Sequence, residues 1–595
     1  MLHKLMGILM LSAALVAPAS AKISGTGTLE GTVTAPEAFS AAKVFARKAD
    51  SNITYVVFTE SGKYSAVNVM PGSYDVWAEH QGLTSDHTNA TVSADKTAQA
   101  AITMTANEPV QHPVGPRNLP DRMLVPIDEL YPPGEGRDIV QNNCTVCHAW
   151  NFIPAQPQSR AGWGAIVDYM TTSPHWGVAE SDPFLVPERL PLSKREVLLD
   201  YLEKNFGDGQ PVRAVLEEET EPHDEAVLGK AQYIMYTFPK TEDEPNIMRQ
   251  EITFDSKGNI WSTDTRTSAL SFLNPSTGEH KYYLTPHSSW APHGIAIDAD
   301  DTVWAAALKV GIVHFDPKTG NWDAYGKDTE THRDMGGLTP FLDSKGNVYW
   351  TDIRFNKIGR MDRATGTWTH FDSPTKNGSP YGGVVDRQDR FWWNEFHACG
   401  VAVYDPATES TKAYPSPSRP CLSRRPGLDS KGNVWYGVYD RGRIEKLDPT
   451  TGETSVFQIP VKFATPYDTW VDPDDKVWSS SDNYFVRLDP ENSSFTYYPT
   501  PWRNDMPKMT IARGGAIWFP ARGGADLPAA LGVLWMDKAK MNTFKAQFPP
   551  NDPNANVLRG KVAPVEVAGN ANDGGKWPKP GESEFVNPDL GAAAE

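Results

Sequence analysis

One aromatic position returns through the C-terminal half of the 595-residue chain at nearly constant spacing: Trp261, Trp304, Tyr349, Trp392, Trp435, Trp478 and Trp518 are separated by 43, 45, 43, 43, 43 and 40 residues. Its surroundings return with it. Gly258-Asn259-Ile260-Trp261 is echoed by Gly346-Asn347-Val348-Tyr349 and Gly432-Asn433-Val434-Trp435, and Asp316-Pro317-Lys318-Thr319-Gly320 by Asp448-Pro449-Thr450-Thr451-Gly452. A period of this length holds four short strands and is too short for a domain. One such sheet leaves both faces bare, so the copies must stack; seven of them around an axis predict a seven-bladed β-propeller over 229–549. Either 233–238 or 542–548 can complete the last sheet.

The chain ahead of the repeats divides by pattern. A short apolar run at 5–17 follows His3 and Lys4 and precedes Ala19-Ser20-Ala21. That reads as a cleaved signal over 1–21 and an exported, periplasmic protein; the run falls short of the roughly 20 residues of a membrane span, the alternative being an N-terminal anchor. Over 22–106, short alternating runs with a Pro-Gly turn predict a small β-sandwich. Linkers follow at 107–132 and 209–228, flanking a helical segment at 133–208. There Ser193-Lys194-Arg195-Glu196 is a capping box, the apolar spacing Val197, Leu198, Tyr201, Leu202, Phe206 is helical, and Gly207 is the stop. The tail at 550–595 is rich in Pro, Gly, Asn and Asp and is expected to be disordered. Lys and Arg number 56 against 74 Asp and Glu, a net charge of −18, which excludes a nucleic-acid role carried by a basic surface. The fold class is mainly β.

Gly31-Thr32-Val33 and the turn Met70-Pro71-Gly72-Ser73-Tyr74 resemble the carboxypeptidase regulatory-like sandwiches, which implies a fold and no activity. The helical segment carries Cys144-Thr145-Val146-Cys147-His148, a C-x-x-C-H sequence. Two thiols at that spacing add across porphyrin vinyl groups, and the next imidazole reaches the iron, so haem c is the expected cofactor. With Gly162-Trp163-Gly164 and the terminal helix, the segment resembles the cytochrome c family. The resemblance implies a thioether as sixth iron ligand; Met170 holds the matching place, with His175 or a purely packing role for Met170 as alternatives.

In a propeller blade the strands run from inner A to outer D, so B–C and D–A connections open on one end. Arg249, His293, Tyr381, Arg424, Arg425, Tyr467 and Lys508 lead into the inner strands there. In an acidic chain, cations and phenols converging on an axis point to a small anionic or phenolic substrate, the alternative being plain solvation of a channel. Cys399 and Cys421 lie in neighbouring connections at this end, where topology allows a disulfide or two free thiols. The Gly-Asn-Val-Trp repeats resemble the streptogramin lyase propellers, which open an ester ring by elimination. Glu395-x-His397 matches their local motif, and the resemblance implies a Glu395-held Mg²⁺ with His397 as base. The chain departs from that family at Thr411-Lys412-Ala413 and at Arg354. The segments 316–322 and 362–368 are similar to the Asp-x-x-Thr-Gly-x-x-Trp repeats of quinoprotein dehydrogenases; pyrroloquinoline quinone is disfavoured because seven copies stand against their usual eight. Three functions therefore compete: a haem-linked oxidoreductase with a soluble or membrane-bound redox partner, a metal-assisted lyase, and an electron relay with a ligand-binding propeller. The haem favours the first.

Overall fold

A computed structural model describes residues 22–80, 82–106, 122–125, 129–140, 144, 153–154, 157–172, 194–215, 223–238 and 248–546, the last span without 289, 309, 326–336, 354, 377, 420, 462–463, 482, 503–505, 513–514 and 523–527. Side chains at 122–124, 169–172 and 214–215 are not described. The chain is mainly β. Six four-stranded antiparallel sheets follow one another in sequence over 252–284, 292–325, 340–372, 380–415, 423–458 and 469–499. Each recurring aromatic of these sheets sits on the second strand, and none of the seven is more than 3% exposed.

The repeat is held by an aspartate that the aromatic periodicity does not show. Asp298, Asp386, Asp429 and Asp472 stand six residues before their tryptophans and accept the indole N–H at 3.3, 2.9, 3.0 and 2.9 Å. The other oxygen of Asp429 takes backbone N–H groups of Lys431 and Asn433, so one carboxylate ties the first turn of the sheet to its second strand. Gly432, with φ of +85°, is the position in this turn that a side chain would strain. Alternate seams carry a clip: the backbone N–H and hydroxyl of Ser256, Ser344 and Ser430 donate to Asp301, Asp389 and Asp475 of the following sheet. Asp389→Ala, which removes two such bonds, is expected to lower stability by about 1–2 kcal/mol in urea unfolding. An unchanged midpoint would show that apolar contacts alone hold the seam.

The last strands behave differently. Thr510–Ile511, Ile517–Ala521 and Ala529–Trp535 pair in order, and the fourth place is taken by Gln232–Phe238, running from Gln232↔Trp535 to Phe238↔Ala529. Of the two options that the sequence left, the upstream segment supplies the strand. Residues 542–546 instead lie beside the first sheet, where Ala546 N–H donates to Gly258 O at 3.0 Å.

The free edge of Gln232–Phe238 pairs with Ile53–Phe58, Gln232 opposite Val57 and Tyr236 opposite Ile53. The N-terminal β-unit, which the sequence set apart by linkers, thus continues the last sheet into a 13-stranded one. Val57 and Tyr74 share an apolar core with Ile234, Trp518 and Leu531.

In the helical segment, Arg160–Thr172 and Arg195–Phe206 bury Trp163, Val167, Leu198, Tyr201, Leu202 and Phe206 together. Asp168 accepts two bonds from Arg195, both 2.7 Å, across the helices. Ser193 lies outside the described residues; Lys194 stands at the N-cap without a side-chain cap. Gly207 ends the helix in extended backbone, and a Cβ there would meet Glu203 O at 2.2 Å, so close approach rather than a left-handed turn requires glycine. Among the described residues no helix is long and apolar enough to cross a membrane.

Candidate functional site

All first strands begin at one end of the stack, and three carry a bulge there. The register shifts between Pro292 and Gly294, Pro380 and Gly383, and Arg424 and Pro426. A bulge re-aims a side chain out of the ladder. His293, Tyr381 and Arg425 are the residues so placed. Gly382 makes the room: a Cβ on it would stand 2.5 Å from Arg425 Cγ.

Arg425, 1% exposed, reaches from the fifth sheet to Glu251, which is fully buried at the start of the first. Thr339 Oγ1 donates to the same Glu251 oxygen at 2.9 Å. His293 Nδ1 lies 3.0 Å from Leu338 O and 3.4 Å from Glu251 Oε1, while its Nε2 meets Gln250 Nε2 at 2.8 Å. A tautomer with Nδ1–H facing Leu338 O and Nε2 accepting from the amide satisfies every contact. Gln250 Oε1 then accepts from Arg522 Nε at 2.8 Å. Burial would raise the Glu251 carboxyl, but Arg425, His293 and Lys508 outweigh it and hold it at about 2. Burial lowers His293, with Glu251 opposing, and raises Asp468, with Lys508 and Arg425 opposing. Lys508 Nζ stands 3.8 Å from Asp468, which also accepts Met509 N–H at 2.7 Å.

Arg424 occupies a box of rings. Its guanidinium carbon lies 3.9 Å from the centre of Tyr439, 4.0 Å from Tyr467, 5.2 Å from Phe396 and 5.4 Å from Tyr381. The Tyr381 and Tyr467 hydroxyls share a hydrogen bond of 2.5 Å. Ring faces carry negative potential, so the box stabilises the cation in a site with little water.

Six of the seven residues expected at the mouth meet in this network. Arg249 does not: fully buried, it pairs with Asp264 at 3.0 Å, bonds the Tyr282 hydroxyl and lies 4.3 Å over Phe238, between sheet and closing strand. Gln250, Glu251, Thr339 and Asp468 escaped sequence reasoning because it followed cations, phenols and an imidazole only, and Arg522 because it follows the second strand Ile517–Ala521 rather than leading into a first one. Gln250 and Glu251 beside Arg249, and Asp468 beside Tyr467, were the available signal.

Glu395 and His397 take separate paths. Glu395 Oε1 accepts from Ser373 Oγ and, at 2.8 Å, from Trp393 Nε1, in the seam of the third and fourth sheets. Burial raises its carboxyl against the bonds from Ser373, Thr375 and Trp393. Its Oε2 is buried against Gly378 without a partner. His397 is half-buried, with Nδ1 2.8 Å from Ser379 Oγ, and Phe396 between them is the residue that joins the Arg424 box. A Mg²⁺ ion asks for several ionised or carbonyl oxygens around it. Glu395 does not fit that need, and among the described residues no group of three His, Cys, Asp or Glu could hold a metal. Thr411 and Lys412 are exposed on the outer strand of the fourth sheet, and Arg354 lies outside the described residues. A disulfide joins Cys399 to Cys421, with Cα atoms 5.2 Å apart.

In the helical segment Cys144 is partly exposed and packs against the apolar cluster of Val140, Trp163, Val167 and Leu198. A thiol beside an apolar wall fits a porphyrin held through a vinyl group with its ring against that wall. Cys147, His148 and His175 lie outside the described residues, as does the Met170 side chain.

No protein-family model matches the chain, and no curated protein sequence matches it. Its structural neighbours are streptogramin B lyase-like β-propellers over about half its length. A streptogramin B lyase structure is 18% identical, covering 51% of this chain and 97% of that one, with a TM-score of 0.45. Virginiamycin B lyase from Staphylococcus aureus is 19% identical, covering 51% and 99%, again at 0.45. The WD40 β-propeller domain of Doa1 is 11% identical, covering 50% and 95%, at 0.41. Nothing in these likenesses bears on activity, nor on the expected cytochrome c and carboxypeptidase regulatory-like segments.

Proposed function

We propose that this chain is an exported, periplasmic electron-transfer protein: a seven-bladed propeller over 229–549 binds a small anionic or phenolic molecule, and a cytochrome c segment over 133–208 carries one haem c. The observation that carries the binding half is the charge at the axis. Arg424, Arg425, Lys508 and Arg522 stand there against Glu251 and Asp468, in a chain of net charge −18. Arg425 pairs with Glu251, and Arg424, held among Tyr439, Tyr467, Phe396 and Tyr381, is the cation assigned to the ligand's anionic group. Cys144 and Cys147 would hold the haem, with His148 and Met170 as axial ligands; when bound it supplies a one-electron centre. The short reach between the segments would give a bound substrate and the iron a high effective concentration. The seating of Glu395 speaks against the elimination route, and a pyrroloquinoline quinone site has no support beyond the repeat.

Protein made in a host with a haem c attachment system is expected to keep its porphyrin through acid–acetone extraction, and Cys144→Ala/Cys147→Ala to lose it. Titration calorimetry with benzoate should show binding that weakens about tenfold in Arg424→Gln, the loss of one charge-assisted contact. Among phenols and aromatic acids presented anaerobically, at least one should reduce the iron. Unchanged benzoate affinity in Arg424→Gln removes the binding site; substrate consumed without reduction points to a lyase.

A further inference from the structure

Where the N-terminal β-unit meets the closing strands, a cleft of about 760 Å³ opens to solvent, lined by Glu30, Glu60, Lys63, Tyr64, Gln99 and Lys538. Its volume lies within the range of small-ligand sites. Lys538 is fixed from both sides of its backbone. Its N–H donates to Lys230 O at 2.9 Å, and the turn Lys538–Lys540 is capped by Asp537, which accepts Ala539 N–H at 3.1 Å. Among the described residues the amine makes one hydrogen bond, to Gly229 O at 2.8 Å, and no ion pair. Most surface lysines that bond in this chain meet carboxylates, as Lys357 meets Asp372 and Lys476 meets Asp489.

We infer that this cleft is a binding site for a small neutral carbonyl compound bearing hydroxyl groups, held as an imine on Lys538 Nζ. Glu30 and Glu60 outnumber Lys63 on the wall and oppose an anionic guest, while Ser61, Ser65 and the Gln99 carbonyl, whose amide N–H is bonded to Glu30, offer the mixed donors and acceptors that hydroxyl groups use. The Gly229 carbonyl orients the amine by accepting one N–H and leaves the nitrogen lone pair for the cleft. Burial brings the ammonium down to about 8, although Glu60 and Asp537 act the other way, so a useful fraction is neutral amine at pH 7.5. The nitrogen adds to the carbonyl carbon to form a carbinolamine. The carbonyl oxygen then leaves as water with two protons, both from the amine, and a C=N bond remains. No oxidant or reductant is consumed.

The test uses the full-length protein with glyceraldehyde as probe and cyanoborohydride to trap the imine, followed by peptide mass mapping. Lys538 is expected to be labelled at least tenfold faster than exposed lysines such as Lys540, with a pH midpoint near 8. Lys538→Arg should lose that label alone while keeping the near-ultraviolet dichroism of the parent. Glu60→Gln removes the carboxylate that favours the ammonium, so it should move the midpoint of labelling to lower pH. Labelling of Lys538 no faster than Lys540, or a midpoint that ignores Glu60→Gln, overturns the proposal.

Discussion

Ile234→Pro is expected to destabilise the protein by about 4–6 kcal/mol, among the larger effects a single substitution can have. Ile234 is fully buried in the middle of Gln232–Phe238, opposite Tyr55 on one side and Val533 on the other. Whichever neighbour its N–H faces, proline deletes that ladder bond from an interior strand, where proline is scarcely found. The lost side chain leaves a cavity in a core shared by the N-terminal unit and the last sheet. Ile234→Val, which keeps the ladder, should cost only about 1 kcal/mol. Urea unfolding followed by tryptophan fluorescence separates the two. A proline variant within 1 kcal/mol of the valine one would mean that the strand does not close the stack in solution.

Glu251→Gln is expected to cost about 3 kcal/mol at neutral pH and to remove a specific acid dependence. A carboxyl lowered from 4.5 to about 2 by its surroundings contributes roughly that much when ionised. Between these two values the unfolded chain takes up a proton and the folded one does not. The contribution is therefore complete above pH 4.5 and fades as the pH falls toward 2. Unfolding free energies measured from pH 6 to pH 3 should drop less steeply in Glu251→Gln than in the parent. Arg425→Met alone should cost about 3–5 kcal/mol, because it strands a buried carboxylate, and much of that should return in the double variant. Parallel pH profiles for parent and Glu251→Gln would show that the pair is solvated.

The sheets were legible because a 43-residue recurrence of a buried aromatic leaves few architectures open. The closing strand was not: 233–238 is the more apolar of the two candidates, but the pairing that completes the last sheet is long-range and no local pattern states it. A hint went unused. Ile53–Phe58 is apolar but for Thr54 and buried at every position, the pattern of a strand covered on both faces. The mouth was legible as an end of the molecule and illegible in direction. Arg249 and Arg425 occupy equivalent leads, yet the bulge after Arg424 turns Arg425 inward, while Arg249 is drawn to Asp264. Glu395-x-His397 shows the same limit: the spacing survives, but Trp393 and Ser373 take the carboxylate.

The strand order has a consequence for how such a chain matures. Gln232–Phe238 is made 297 residues before Trp535, the end of its partner. A chain that emerges N-terminus first into the compartment where it folds holds a bare apolar edge through that interval, which would invite neighbouring chains. Ile53–Phe58 has already been synthesised and can shield one flank of the waiting strand throughout. The N-terminal unit would then serve as a built-in escort, halving the adhesive border until the final hairpin arrives.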